Sequence, residues 1–183
     1  VELLAGVDVA SIARSLLGWR LRSEIGEAPT EVRITEVEAY GGADDPASHA
    51  HRGPTRRNVT MFGPPGRLYV YRSYGVHWCL NVVTGPEGVA SAVLLRGAVP
   101  LVGEEIMRRR RHRADHLLDG PGKLAQALGV TGREDGGDLF AGPVRLIPGR
   151  LAEGWRVQVT PRVGITRARE RRWRFLARPR LRD

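Results

Sequence analysis

The sequence predicts one domain that mixes helices and strands, and three observations carry that expectation. At 183 residues the chain has single-domain length and can bury a proper core. Short runs that alternate apolar and polar residues, the mark of strands, are interleaved with stretches of helical period. No internal repeat or linker divides residues 1–183, and no apolar run approaches the roughly 20 residues a membrane helix needs.

The elements follow in order. Asp8 stands where an N-cap belongs, before an amphipathic stretch that predicts a helix through about Leu17, closed by Gly18. The segment around it is interrupted by Gly6, Asp8 and Arg14, unlike a secretory signal, and the absence of an initiator Met reads as trimming. Residues 19–24 and 31–40 alternate as two strands about a GEAP turn. Residues 41–66 are rich in Gly, Pro, Asp and Asn and predict a long ordered loop, a feature that in compact domains tends to carry function. Strands are expected at 67–73, 76–84 and 91–97, the first two joined by a tight turn at Tyr74-Gly75. Helices are expected at about 102–113 and 121–128, the second with Pro121 in its first turn and Gly129 past its end. Strands at 143–148 and 155–160 precede an Arg-rich segment, 162–182, whose only claim as a nucleic-acid contact is its charge.

Composition narrows the partners. A net charge of +9 and an isoelectric point near 11.0 point to a polyanion, most often nucleic acid. Lys123 is the only lysine, so Schiff-base chemistry would fall to it or to a terminal amine. A single cysteine, Cys79, excludes an intramolecular disulfide and a Cys-rich zinc site, in keeping with a reducing cytosol.

Several constellations compete for a site. Val32, Ile34, Glu36, Glu38 and Tyr40 alternate, which predicts one shared strand face. An acid on such a face is either solvated at the strand end or partly buried for catalysis, and pattern leaves both readings of Glu38 open. Asp44, Asp45, His49 and His51 could nest a metal, but their spacing matches no tight ligand signature, and solvated or internally bonded side chains fit better. No G-x-S-x-G elbow, Walker A loop or G-x-G-x-x-G fingerprint occurs, and Cys79 sits mid-strand as a structural thiol would. The hairpin is more telling. Tyr69, Tyr71 and Ser73 share one face, Leu68, Val70 and Arg72 the other, and Tyr74 stands at the tip. A tip tyrosine is hard to bury and suited to wedging between stacked bases. Arg56, Arg57, Arg72 and the run RRRRHR at 108–113 offer phosphate contacts.

The stretches RITEVEAYGGADDPASHA, TRRNVTMFGPPGRLYVYRSYGVHWCLNVV, AVLLRGAVPL and DGPGKLAQALGV resemble the alkyladenine (3-methyladenine) DNA glycosylase family of mammalian type. The match runs in order from about Ala13 to Phe175, departing at Arg67, Arg72-Ser73 and Val76-His77. The resemblance implies a single-domain α+β fold on a curved, largely antiparallel β-sheet, flanked by helices and bearing a protruding DNA-wedge hairpin. It implies a monofunctional repair glycosylase acting as a monomer on double-stranded DNA with a damaged purine. No metal or other cofactor is expected, and neither is a membrane. A bacterial cytoplasmic location follows, or a nuclear one in a eukaryote.

The family's roles then fall on matching positions. Glu38 resembles the general base that activates water, Arg96 the group that helps hold that water and the carboxylate, and the carbonyl of Val163 a third water contact. Tyr40, His49 and Tyr71 resemble the walls of the flipped-base pocket, and Asn81 the residue that disfavours the exocyclic amino group of guanine. Tyr74 resembles the intercalating side chain, with Arg57, Arg72, His77, Arg111 and Lys123 as further DNA contacts. Glu36, Asp44, Asp45 and His51 become structural or solvated groups. The competing readings are a non-catalytic nucleic-acid-binding module of the same fold, an RNA- or ribosome-associated protein, and a bifunctional enzyme that nicks DNA through Lys123.

Overall fold

The structure, a computed structural model, describes residues 2–180. Among the described residues, eight strands form one antiparallel sheet: β1 (Arg20–Ser23), β2 (Thr30–Tyr40), β3 (Leu68–Ser73), β4 (His77–Val83), β5 (Ala92–Val102), β6 (Val144–Ile147), β7 (Trp155–Thr160) and β8 (Arg174–Pro179). Their order is β3-β4-β5-β2-β1-β6, with β8 joining β2 to β7, so the sheet curls into a half-barrel. The α-helices among the described residues are α1 (Val9–Ser15), α2 (Glu104–Arg111) and α3 (Pro121–Leu128). The expected α+β architecture is what the chain adopts.

Local chemistry explains the element ends. Asp8 accepts hydrogen bonds from the amides of Ala10 and Ser11, capping α1. The chain leaves α1 through Gly18, whose φ of +87° and 2.3 Å gap between an added Cβ and the Leu151 amide admit only glycine. Strand β5 runs past the expected end at 97, through Pro100, and displaces the start of α2 to Glu104. Pro100 is tolerated because it lies beside a register shift in the β2–β5 ladder, where a missing N–H costs least.

The strand that carries the acids differs from its expected alternation. Ile34 pairs with Ala98 and Glu36 with Gly97, leaving Thr35 as an extra residue on β2; Val37 then pairs with Leu95, leaving Arg96 extra on β5. The first bulge flips the phase of the strand. Val32, Ile34, Val37 and Ala39 therefore all enter the main core, while Glu36, Glu38 and Tyr40 face the other way. Val32 and Ile34 do not share their face.

The main core packs α1, α3, Met107 of α2 and the apolar face of the sheet, including Leu68, Val70, Leu80 and Val82 of the β3–β4 hairpin. The opposite face of β3, β4 and β5 packs under loop 41–66 through a smaller cluster of Ala50, Met61, Tyr69, Val83, Ala90 and Ala92. That loop is ordered by its own turns and by Asn58, whose side-chain amide donates to the carbonyls of His49 and Gly53.

The Arg-rich segment is the largest departure from expectation. Residues 174–179 form β8, antiparallel to β2 at Glu36–Glu38 and to β7 along its length. Phe175 and Ala177 enter the core, while Arg174 bonds inward to Glu36. Residues 181 and 182 of the expected segment lie outside the described residues. No described helix is long and apolar enough to cross a membrane.

Candidate active site

A cavity of about 620 Å³ opens between loop 41–66, the β3–β4 hairpin, β5 and residues 163–165. This is within the range of small-molecule sites. Its walls bring together Tyr40, His49, Tyr71, Asn81, Arg96 and Val163, with Tyr69, Met61 and Leu94 completing the interior and Arg57, Arg72 and Tyr74 at the mouth. Residues separated by more than a hundred positions meet here because β2 and β5 pair while loop 41–66 folds over β3 and β4.

The aromatic wall is tightly arranged. His49 meets Tyr71 edge to face with ring centroids 4.5 Å apart, and its Nδ1 lies 3.1 Å from the Tyr69 hydroxyl. Solvent still reaches His49 through the open mouth, but the surrounding protein removes enough water to push its pKa below the ordinary value, and the Arg57 charge adds to this. Burial pushes the hydroxyls of Tyr40, Tyr69 and Tyr71 up, and for Tyr40 the Glu38 charge acts in the same direction. All three remain protonated donors near neutral pH. Asn81 is buried, and its side-chain amide donates to the Tyr69 carbonyl at 3.1 Å, which fixes its orientation toward the cavity.

Glu38 lies beneath the floor formed by Tyr40, Arg96 and Val163 and is 0% exposed. Its Oε1 accepts the backbone N–H of Val163 at 2.7 Å, and its Oε2 accepts the Tyr40 hydroxyl at 2.8 Å. Arg96 is more loosely attached: Nη1 is 3.4 Å from Oε2 and Nε is 3.4 Å from Oε1. The closer partner of Arg96 is Glu36, at 3.0 Å, which Arg174 of β8 also holds at 2.7 Å. Burial alone would lower the Arg96 pKa, yet Glu38 and Glu36 more than offset it and keep the guanidinium charged. Glu36 is thus held between two arginines.

The acids and histidines of the loop do not gather into a metal nest. Asp45 is bound at both oxygens by the guanidinium of Arg162, at 2.6 and 2.8 Å, with both side chains fully buried. His51 pairs with the Ala43 carbonyl, and Asp44 is exposed beside Arg171. No group of three or more His, Cys, Asp and Glu able to hold a metal occurs among the described residues.

The expected DNA contacts divide. Tyr74 projects from the hairpin tip with 93% of its surface exposed, at φ +49° and followed by Gly75 at +68°. The Ser73 carbonyl accepts the Val76 N–H across this turn. Arg57 donates to the Arg72 carbonyl and lies over Tyr71, and Arg72 lies over Trp78. His77 is exposed beside the hairpin tip, paired with Ser73 and against Gly122 at the start of α3. Arg111 and Lys123 do not line the cavity; Arg111 bonds Gln126, and Lys123 bonds Asp119 at 2.8 Å. Sequence reasoning missed Arg162 and Arg174, since in an Arg-rich stretch nothing local distinguishes an inward arginine from a solvated one.

An aromatic cup thus stands above a buried carboxylate and opens on an arginine-bearing rim. The methylpurine-DNA glycosylase family model matches residues 4–180, and the chain belongs to that family. A relative from Frankia casuarinae is 51% identical, over 93% of this chain and 87% of its own. One from Rubrobacter xylanophilus is 50% identical over 88% and 84%, and one from Nitrosospira multiformis 47% over 90% and 82%. All three bear the name "Putative 3-methyladenine DNA glycosylase". Membership makes the chain a DNA glycosylase, a hydrolase of base excision repair.

Proposed function

We propose that residues 1–183 act as one monofunctional glycosylase unit that extrudes an alkylated or deaminated purine from duplex DNA and hydrolyses its N-glycosidic bond. The observation that carries this reading is the placement of Glu38 directly under the aromatic cup, with its two tight hydrogen bonds on the Val163 and Tyr40 sides. The loosest side of the carboxylate, toward Arg96, is where a water can enter and be held by both groups.

For a cationic, alkylated purine the chemistry balances with these groups alone. A base inside a duplex is out of reach, so the nucleotide must be flipped at a cost of a few kcal/mol. Stacking against Tyr40, His49 and Tyr71 returns roughly 1–3 kcal/mol per base. As the glycosidic bond breaks, its electron pair leaves with the base. The water oxygen bonds to the anomeric carbon from the opposite face, its proton passes to Glu38, and an abasic site remains. An alkylated purine is cationic and departs neutral, so no second acid is needed, whereas a neutral lesion such as hypoxanthine must gain a proton. Asn81, held by the Tyr69 carbonyl, is positioned to discriminate against the guanine amino group. The Lys123 ammonium is bound to Asp119 and lies off the cavity, which supports hydrolysis over an imine route. In this reading the unit works as a monomer, and relatives from bacteria support a bacterial cytoplasmic setting.

The test is single-turnover base release from duplexes each carrying 3-methyladenine, 7-methylguanine, hypoxanthine or ethenoadenine, for wild type and Glu38→Gln. Wild type should release free base from at least one, and Glu38→Gln should be slower by about 100- to 10,000-fold while still binding DNA. Undiminished release by Glu38→Gln would overturn the assignment of the base.

A further inference from the structure

Arg162 and Asp45 form the most deeply buried ion pair among the described residues, and neither touches the cavity. Burying two charges is costly and only good geometry repays it, so such a pair in the interior calls for an explanation. Its surroundings supply one. Besides the two bonds to Asp45, Arg162 Nη1 donates to the Ala39 carbonyl at 3.0 Å, fixing the segment to the end of β2 between Glu38 and Tyr40. The guanidinium lies over the Tyr40 ring, 4.7 Å from its centroid, and over Trp173, 5.3 Å away. Asp45 in turn accepts the amides of Gly41 and Ala47, so it also ties down the part of the loop that leads to His49.

We infer that Arg162, locked by Asp45, is the positioning residue of the Glu38 carboxylate. The two short bonds to Glu38 come from groups that this one guanidinium sets in place: the amide of Val163, the next residue in the chain, and the hydroxyl of Tyr40, whose ring it covers. Arg162 touches neither substrate nor Glu38. It holds both donors so that the carboxylate's remaining lone pairs point at the gap beside Arg96. A lysine cannot reproduce this, because a point charge with rotatable donors lacks the planar fork that grips Asp45 at both oxygens while covering an aromatic ring.

The inference rests on the reading of Glu38 as the base, and the test separates the two. Single-turnover base release from a 3-methyladenine duplex is measured for wild type, Arg162→Lys, Glu38→Gln and the double variant, alongside affinity for a duplex with a tetrahydrofuran abasic analogue. Arg162→Lys should release base at least tenfold more slowly, with affinity for the abasic analogue changed less than threefold. Because the residue acts through Glu38, adding Arg162→Lys to Glu38→Gln should slow the residual rate less than twofold. Should Arg162→Lys fail to fold, Asp45→Asn, which keeps the shape and one acceptor, carries the same comparison. Wild-type release by Arg162→Lys beside an inactive Glu38→Gln overturns the positioning role alone. An equal slowing in both backgrounds also overturns it, since that is what a merely structural defect produces. Full activity of Glu38→Gln removes the base reading itself.

Discussion

The Val163 amide donates to the Glu38 carboxylate at 2.7 Å across 125 positions of chain. This bond joins the middle of the sheet to the segment between β7 and β8. It leaves the Tyr40 hydroxyl as the other close donor, and that donor can be removed without disturbing the stacking surface.

Tyr40→Phe should therefore separate catalysis from base binding. Stranding one lone pair of a buried carboxylate costs about 1–3 kcal/mol, and the release rate should fall by roughly tenfold. Affinity for a lesion duplex should hold, because the ring remains. A variant that loses affinity and rate in equal proportion would show that the hydroxyl serves the wall, not the acid.

Tyr74→Ala addresses the hairpin tip. An exposed side chain contributes little to folding, so the unfolding free energy should move by no more than about 0.5 kcal/mol. If Tyr74 fills the gap left by the flipped nucleotide, affinity for a lesion duplex should drop on the order of tenfold, the equivalent of about 1.4 kcal/mol. Undamaged duplex should be affected far less, and equal losses would count against a wedge.

His49 gives a pH signature. Its folded pKa is held below the ordinary 6.5 by burial and Arg57, so between those two values the unfolded chain binds more protons than the folded one. The stabilisation is fully present above the unfolded value and is lost as pH falls toward the folded one. Denaturant titrations from pH 7 to 5 should show wild type losing stability more steeply than His49→Gln. Parallel curves would mean that His49 titrates normally.

Phosphate contact by Arg72 predicts a salt effect. Its guanidinium rests on Trp78 at the mouth of the cup and forms no ion pair among the described residues, so it is available to the duplex backbone. Arg72→Gln should reduce the slope of log affinity against log salt by about 0.9, as expected for one lost contact. A slope unchanged from wild type would place Arg72 off the DNA.

Much of this candidate site is legible in the sequence. Tyr40, His49, Tyr71, Asn81, Arg96 and Val163 lie in motifs whose order matched a known family, and they converge on one cup. The strand and helix positions followed from alternation and caps. The faces of β2 did not, because a bulge at Thr35 depends on the partner strand, and period-2 reasoning assumes none. The inward roles of Arg162 and Arg174 were equally hidden. Their partners, Asp45 and Glu36, lie more than a hundred positions away, and the surrounding arginines make any one of them read as solvated charge. In WRFLARP, only the alternation of Phe175 and Ala177 marks β8, too short a pattern to stand out.

The docking of β8 beside Glu36–Glu38 also bears on when the enzyme comes into being. During synthesis, β2 emerges more than a hundred residues before the strand that borders its acidic stretch and supplies Arg174 to Glu36. The Val163 amide that fixes Glu38 is likewise late. A ribosome-bound chain can thus form the hairpin and expose its tip tyrosine while the acid still lacks its late partners. The carboxylate is held by its full set of partners only once these late segments have folded onto β2.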